Sequence, residues 1–442
     1  MEKRPPSAPG KAMGLGLRLL NRIAGMKALD NPATRARVAK SVYGMSRAGF
    51  LAAAAVNRPF KAMQKLVKPL RPARSGAPDL FDLTPTDEQA MIVDAMKRFA
   101  AELMRPAAAA ADEAGAAPAE FLAQAAELGL AAMSTPEGLG GAGSEHSTVT
   151  NALVAEALGH GDMGLAAACL STPSVAGALA SYGDAGQQAT YVPSLTGDKP
   201  PHAAIALMEP QILFNPFKLA ASADESRGGY VLDGEKSLVI GAAGAELFLV
   251  AAQLDRKPAL FVVESGTSGL SVAPQPGMGL RAAGLARLRF KRAKLPKTAM
   301  LGGSEGFDYG EFIARSRLAW CALAVGAGQA VLDYVIPYAN DRVAFGEPIS
   351  HRQGVAFMIA NIGIELDGMR LATRRAASRA AAGAPFARHA ALARSLCSRH
   401  GMQIGSDGVQ VLGGHGYIKE HPVERWYRDL RAIGILEGGV ML

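Results

Sequence analysis

Hydrophobic periodicity changes twice along this 442-residue chain, and no other feature restricts its fold as much. From Leu83 apolar residues recur at three- and four-residue spacing, near residue 200 the period drops to two, and after Gly302-Gly303 the helical period returns to the end. Thr84-Pro85-Thr86-Asp87-Glu88 opens the first section with a cap, a proline and first-turn acids. Met91, Ile92, Met96, Phe99 and Met104 then follow on one helical face, and helices are expected from Pro118 to Leu130, from Thr148 to Leu158 and through Ala166 to Tyr182. Met163–Gly183 carries no charge, but Ser171-Thr172-Pro173-Ser174 interrupts it, so we expect two helices meeting at Pro173 and no membrane span. In the middle section Tyr230–Leu232, Asp233-Gly234 and Lys236–Ile240 read as a hairpin with an Asp-Gly turn. Leu247–Val250, Leu260–Val263 and Leu285–Phe290 read as further strands, and Phe312–Ala339, Gln353–Arg379 and His389–Gly408 as long Ala-rich helices. Helices, an all-β insert and helices again exclude a doubly wound sheet, in which strand and helix alternate. The resulting division is an arm at 1–78, a helical domain at 79–199, a β domain at 200–303 and a helical bundle at 304–442.

Charge separates the arm from the rest. The formal net charge is +8, yet residues 1–75 hold 16 Lys and Arg against only Glu2 and Asp30, leaving 31 basic and 37 acidic side chains beyond them. A body of net negative sign is a poor tracker of phosphate backbones, and no nucleic-acid partner is expected. The arm's basic residues alternate with apolar clusters such as Leu15–Ile23 and Phe60–Leu70, the pattern of helices that lie on anionic membrane surfaces. A cleaved organellar presequence and an arm packed on a partner subunit are its two other readings. The matching locations are the cytoplasm with peripheral contact on the inner face of the membrane, or the mitochondrial matrix. Cys169, Cys321 and Cys397 are too far apart for a disulfide scaffold or a CxxC cluster, and no metal site is expected.

The last section carries the most specific motifs. Arg342-Val343-Ala344-Phe345-Gly346 precedes Gln353 and Phe357; Gln410-Val411-Leu412-Gly413-Gly414 precedes Pro422-Val423-Glu424-Arg425, Arg428-Asp429 and Leu436-Glu437-Gly438. Taken together, in this order, they resemble the carboxy-terminal bundle of the acyl-CoA dehydrogenase family, and the resemblance extends over residues 80–442. It implies an α+β fold: an N-terminal α-helical domain, a middle β-barrel or sandwich and a C-terminal four-helix bundle. It also implies bound FAD, an acyl-CoA substrate, an electron-transfer flavoprotein as acceptor, and a homodimer or homotetramer. Gly413 and Gly414 leave backbone open to a diphosphate, towards which Gln410 and Gln353 can donate and Arg342 offers a planar fork. In the family the Arg-x-x-Phe-Gly motif, with Phe345 here, and the Gln-x-x-Gly-Gly motif come from neighbouring subunits around one FAD.

By the same resemblance Glu437 is the catalytic base that removes the acyl α-proton while hydride leaves the β-carbon for flavin. A carboxylate acts as a base best in a dry pocket, for which Ile435, Leu436 and Val440 offer walls. The alternative base position of the family is Ser316 here, which cannot serve, and Arg317 matches an arginine along the CoA channel. Gly438 follows the base on the substrate side. The middle section departs from the family. Its flavin loop reads Met208-Glu209-Pro210-Gln211-Ile212-Leu213-Phe214, and the Trp-Ile-Thr strand reads Leu238-Val239-Ile240. Met208 and Ile240 thus face the cofactor without hydroxyls, and Phe214 adds bulk on the substrate side, pointing to an apolar, long-chain acyl group. These losses leave a second reading, a flavin-weak or non-catalytic family subunit acting as scaffold in a mixed oligomer.

Overall fold

The computed structural model describes residues 81, 83–143, 147–197, 199–303 and 305–441, so the basic arm and the readings attached to it lie outside the described residues. The unit from Phe81 onward begins with α1 (Asp87–Phe99), held by a capping box in which the Thr86 hydroxyl accepts from the Gln89 N–H and the Gln89 amide accepts from the Thr86 N–H. A π-turn (Ala100–Met104) joins it to α2 (Arg105–Ala114), just where Pro106 lacks the N–H that a regular turn would use. Then come α3 (Ala119–Ala126), α4 (Leu130–Met133), α5 (Thr148–Gly161), α6 (Met163–Tyr182) and α7 (Ala185–Thr196).

Helix α6 corrects one expectation: it runs unbroken through Pro173. The proline costs the helix one hydrogen bond, but neighbours enclose most of α6, and burial of Leu165, Leu170, Val175 and Leu179 outweighs a penalty of about 3 kcal/mol. By length and composition α6 and the helix at Tyr309–Asp341 could each cross a membrane, yet 83% and 72% of their apolar windows are buried inside the fold.

Strands β1 (Ala203–Ala206), β2 (Ser222–Ser226), β3 (Gly229–Val239), β4 (Leu247–Leu254), β5 (Lys257–Glu264), β6 (Leu270–Pro274) and β7 (Ala286–Pro296) form one sheet of order β1-β4-β2-β3-β7-β6, with β5 also on β4. Pairing is antiparallel except where β1 and β2 meet β4. Period-two alternation sends Phe248, Val250, Phe261, Leu288 and Phe290 into a cluster belonging to the sheet alone. Leu247, Leu249, Leu260 and Val262 face the other way, onto α6, α7 and the start of the next helix. Asp233-Gly234 is not the expected turn: β3 passes straight through it with a bulge, and the hairpin closes at Arg227-Gly228. Gly234 lies against Ala221, where a Cβ would come within 2.6 Å, so the glycine serves a close approach of strands.

The bundle consists of α8 (Tyr309–Asp341), α9 (Gln353–Ala381), α10 (Ala387–Leu412) and α11 (Val423–Arg431), with a small hairpin, β8 (Val343–Ala344) and β9 (Glu347–Pro348), between α8 and α9. Trp320, Leu323 and Val331 of α8 and Ile404 of α10 sit in the main core, which continues into the first helical section.

Candidate functional site

Chemistry gathers at the two ends of α8. At its beginning, the tail after α11 folds back along the helix through Gly438 and Gly439, both at positive φ. A Cβ on Gly438 would strike Leu207 at 2.5 Å, so the tail can pass only as glycine. Trp320 donates from Nε1 to the Gly438 carbonyl at 2.7 Å, and the Met441 N–H donates to the Ser174 hydroxyl at 2.9 Å. This anchoring fixes Glu437, whose side chain is 12% exposed. Both its oxygens accept from Arg317: Nε reaches each at 3.0 Å and Nη2 reaches Oε1 at 2.8 Å. Arg394 of α10 approaches from the other side, donating to the Leu436 carbonyl with Nη2 and lying 3.9 Å from Oε1. Its Nη1 is buried without a partner, and burial lowers the proton affinity of its guanidinium against the pull of Glu437.

The expected surroundings of Glu437 are therefore corrected. Leu436 and Val440 are buried beside it, but Ile435 is half exposed and the carboxylate sits between two cations instead of among apolar walls alone. Nothing in the sequence distinguishes Arg394 from the exposed arginines of the same Ala-rich stretch. Ser316 is buried with its hydroxyl unpartnered.

Beyond Glu437 lies a closed void of about 190 Å³, without room for a water molecule, lined by Leu207, Met208, Leu238, Ile240, Gly438 and Gly439. Met208, Ile240, Glu437 and Gly438 are thus brought together. Phe214 does not line the void: half-buried, it packs against both neighbouring core clusters, while Ile212 and Leu213 at the loop tip are each 95% exposed. An ion pair that sequence reasoning missed fixes this wall. The Glu209 carboxylate accepts from Lys236 Nζ at 2.7 Å, from the Ala220 and Ala221 N–H groups at 2.7 and 3.0 Å, and from Gln211 at 3.0 Å. Both side chains are fully buried, and burial takes Lys236 down to about 8 against the raising effect of Glu209. On the far side of Arg317 a cavity of about 710 Å³ opens between Phe217, Ala314, Phe386 and Arg388, so Arg317 stands between that cavity and Glu437.

At the other end of α8, Arg342 caps the helix, and its guanidinium makes no hydrogen bond or ion pair with a described residue. Phe345 projects from the β8–β9 turn 97% exposed, at φ 56°, with the Arg352 guanidinium 5.9 Å from its ring. Gln353 and Gln410, at the start of α9 and the end of α10, are exposed. Gly413 has φ 58° and ψ −128°, a region open only to glycine, and nothing lies within 4 Å of the Cβ position of either Gly413 or Gly414. Arg342 and His415 line one cavity of about 480 Å³. Within one chain, both motifs thus lie at the same end of the bundle. Arg317 and Arg342 are 25 residues apart on α8, about 37 Å at 1.5 Å per residue.

Against these surroundings the residues present suit the diphosphate of a dinucleotide: a guanidinium with no described partner, two exposed amides and glycine backbone with open Cβ positions. At the ring end the wall is apolar, and two N–H groups are already engaged, Ser237 with the Met208 carbonyl at 2.9 Å and Leu238 with Gln275 Oε1 at 2.8 Å.

Sequence and structure comparisons agree with one another. Family models described as the acyl-CoA dehydrogenase N-terminal, middle and C-terminal domains match residues 86–199, 204–293 and 305–439. The short/branched chain specific acyl-CoA dehydrogenase of Rattus norvegicus mitochondria is 32% identical over 362 residues, 80% of this chain and 83% of the rat protein. The solved butyryl-CoA dehydrogenase of Megasphaera elsdenii superposes with a TM-score of 0.75 at 27% identity, over 81% of this chain and 96% of that one. A structure described as an electron transferring flavoprotein of Acidaminococcus fermentans matches with a TM-score of 0.75 and 26% identity over the same shares. With its helical, β and helical sections each matched in order, the chain belongs to the acyl-CoA dehydrogenase family, flavoprotein oxidoreductases that depend on FAD.

Proposed function

We propose that the protein desaturates a short acyl-CoA thioester between its α- and β-carbons, with Glu437 as the base for the α-proton. The observation that carries this reading is the Glu437 carboxylate, mostly buried at the edge of the Met208–Ile240 void and held by Arg317, which also lines the larger cavity. Bound FAD supplies the hydride acceptor. The chain's own part is to admit the thioester through the cavity at Phe217 and Arg388, to free one Glu437 oxygen from the Arg317 fork, and to keep water out with Leu207, Met208 and Ile240. Arg394 holds the Leu436 carbonyl and so keeps the carboxylate in place while the fork opens. The resemblance to a short/branched-chain enzyme favours a short acyl group over the long chain that the loop composition suggested.

Anaerobic titration with butyryl-CoA tests the proposal: bleaching of the bound flavin is expected, and Glu437→Gln should lower its rate by about 10²–10⁴-fold. Absence of bleaching with short, branched and long acyl-CoAs alike would overturn it. The closed ring-side wall favours a second reading, a flavin-weak partner subunit, which predicts far less than one flavin per chain after purification.

The working unit in this proposal is a homodimer or a pair of dimers. An FAD gripped by Arg342 cannot extend some 37 Å to Glu437 of the same chain, so each cofactor bridges two chains. An exposed apolar stripe on α9, Phe357, Ile364 and Leu371 at seven-residue intervals, supplies a face for such pairing. An electron-transfer flavoprotein is the proposed acceptor, and residues 1–75 the proposed contact with an anionic membrane on its inner face.

A further inference from the structure

Strand β7 carries a charge pattern that the acyl reaction does not use. The chain beyond residue 75 is acidic in sum, yet Arg287, Arg289, Lys291, Arg292, Lys294 and Lys297 fall within one stretch of eleven residues. Alternation turns Leu288, Phe290, Ala293 and Leu295 into the core of the sheet. The same alternation sends Arg287, Arg289 and Lys291 to the opposite face, about 6.8 Å from one to the next, and Lys294 after them. A bulge adds to this face: Lys291 and Arg292 together oppose the single Asp233 of β3, so both of their side chains are exposed. Arg292 takes φ 47° there, and its N–H donates to Asp233 Oδ1 at 2.7 Å.

Fewer acids share the face. Register places Glu235 beside Arg289, and Asp224, through Val231, in the row of Lys294. Glu235 is taken by Arg287 Nε and Arg289 Nη2, each at 3.1 Å. With Asp233 at the bulge, three acids stand against six cations, while Glu225 and Arg227 near the β2–β3 turn add one charge of each sign. Lys291, Arg292, Lys294 and Lys297 are exposed and make no ion pair with a described residue. On the other side, β6 brings only Ser271 and Ala273 to the face, opposite Arg289 and Arg287, so the cations stand above small uncharged neighbours.

The make-up of the face selects its partner. A protein interface is built around an apolar or aromatic centre, and among the described residues the one large apolar side chain on this face is half-buried Val231. Single-stranded nucleic acid is held by rings on which bases stack, and the neighbouring Tyr230 turns onto Phe261, with centroids 5.1 Å apart. Separate cations along a flat strand suit a layer of anionic headgroups, to which each Lys or Arg adds its own attraction. We propose that the outer face of β7 docks on an anionic lipid bilayer, with Lys291, Arg292, Lys294 and Lys297 meeting the headgroups. This surface is independent of the acyl chemistry and of the contact proposed for residues 1–75.

Acetylation of the full chain, read lysine by lysine by mass spectrometry, tests the face on vesicles of phosphatidylcholine with about one third phosphatidylglycerol. Lys291 and Lys294 should be shielded about fivefold on these vesicles, Lys97 of α1 should not, and phosphatidylcholine alone should shield none of them. Lys291→Gln with Lys294→Gln should lower the vesicle partition coefficient about tenfold, with the melting temperature unchanged because both positions are exposed. Every chain compared carries residues 1–75, so the ratio reads the β7 face. Equal labelling of Lys291 and Lys294 with and without anionic vesicles, or an unchanged partition coefficient in the variant, overturns the proposal. Shielding by a single-stranded oligonucleotide or an acidic protein, and not by the vesicles, overturns it as well.

Discussion

Glu209 is the side chain whose loss the β domain can least absorb. It satisfies two backbone donors and a buried ammonium at once. Glu209→Gln should cost about 3–5 kcal/mol, because it strands the Lys236 charge, and a lower urea midpoint by circular dichroism would register it. At this scale the sequence was uneven as a guide. Glu437 and Arg317 were legible because rare motifs flank them, and the structure brings them into one bidentate pair. Arg394 was not, since an arginine among alanines and serines carries no mark of whether its helix face is inside or out. The Glu209–Lys236 pair hid for the opposite reason: two charges 27 residues apart cannot be matched until β3 and the loop before β2 are placed side by side.

Among the elements, α11 shows how a short motif ties sections together. Arg425 reaches Asp162 at the cap of α6, Arg428 takes both oxygens of Asp112 in α2, and Asp429 accepts from the Leu280 N–H at 2.6 Å. Burial, aided by the nearby Asp162 charge, pushes the Asp429 carboxyl up to about 8. A carboxyl raised on folding binds its proton more tightly in the native state, so stability falls as pH rises between about 4 and 8. Asp429→Asn keeps an acceptor for Leu280 and removes the titration; its denaturation midpoint should vary less than the wild type's between pH 5 and 8. Element types were readable from period alone, as for α8, α9 and β4. The break at Pro173 and the turn at Asp233-Gly234 were misread because local propensity was outweighed, by burial on all sides of α6 and by the close approach of β3 to β2.

For the molecule as a whole, the order of helical, β and helical sections was legible because a change of period needs no knowledge of contacts. The distance between Arg317 and Arg342 was not, since that depends on α8 running unbroken between them. If the α9 stripe pairs two chains, Phe357→Glu with Ile364→Glu should shift the mass measured by light scattering towards that of one chain, while the melting temperature of the protomer changes little.

The 33-residue span of α8 has a genetic corollary. Damage at its opposite tips would fall in different sites of a pair, so two crippled alleles could rescue each other. Chains carrying Glu437→Gln and chains carrying Arg342→Ala, inert when made separately, should regain roughly a quarter of full turnover when co-expressed, since random pairing leaves one intact site in each mixed dimer.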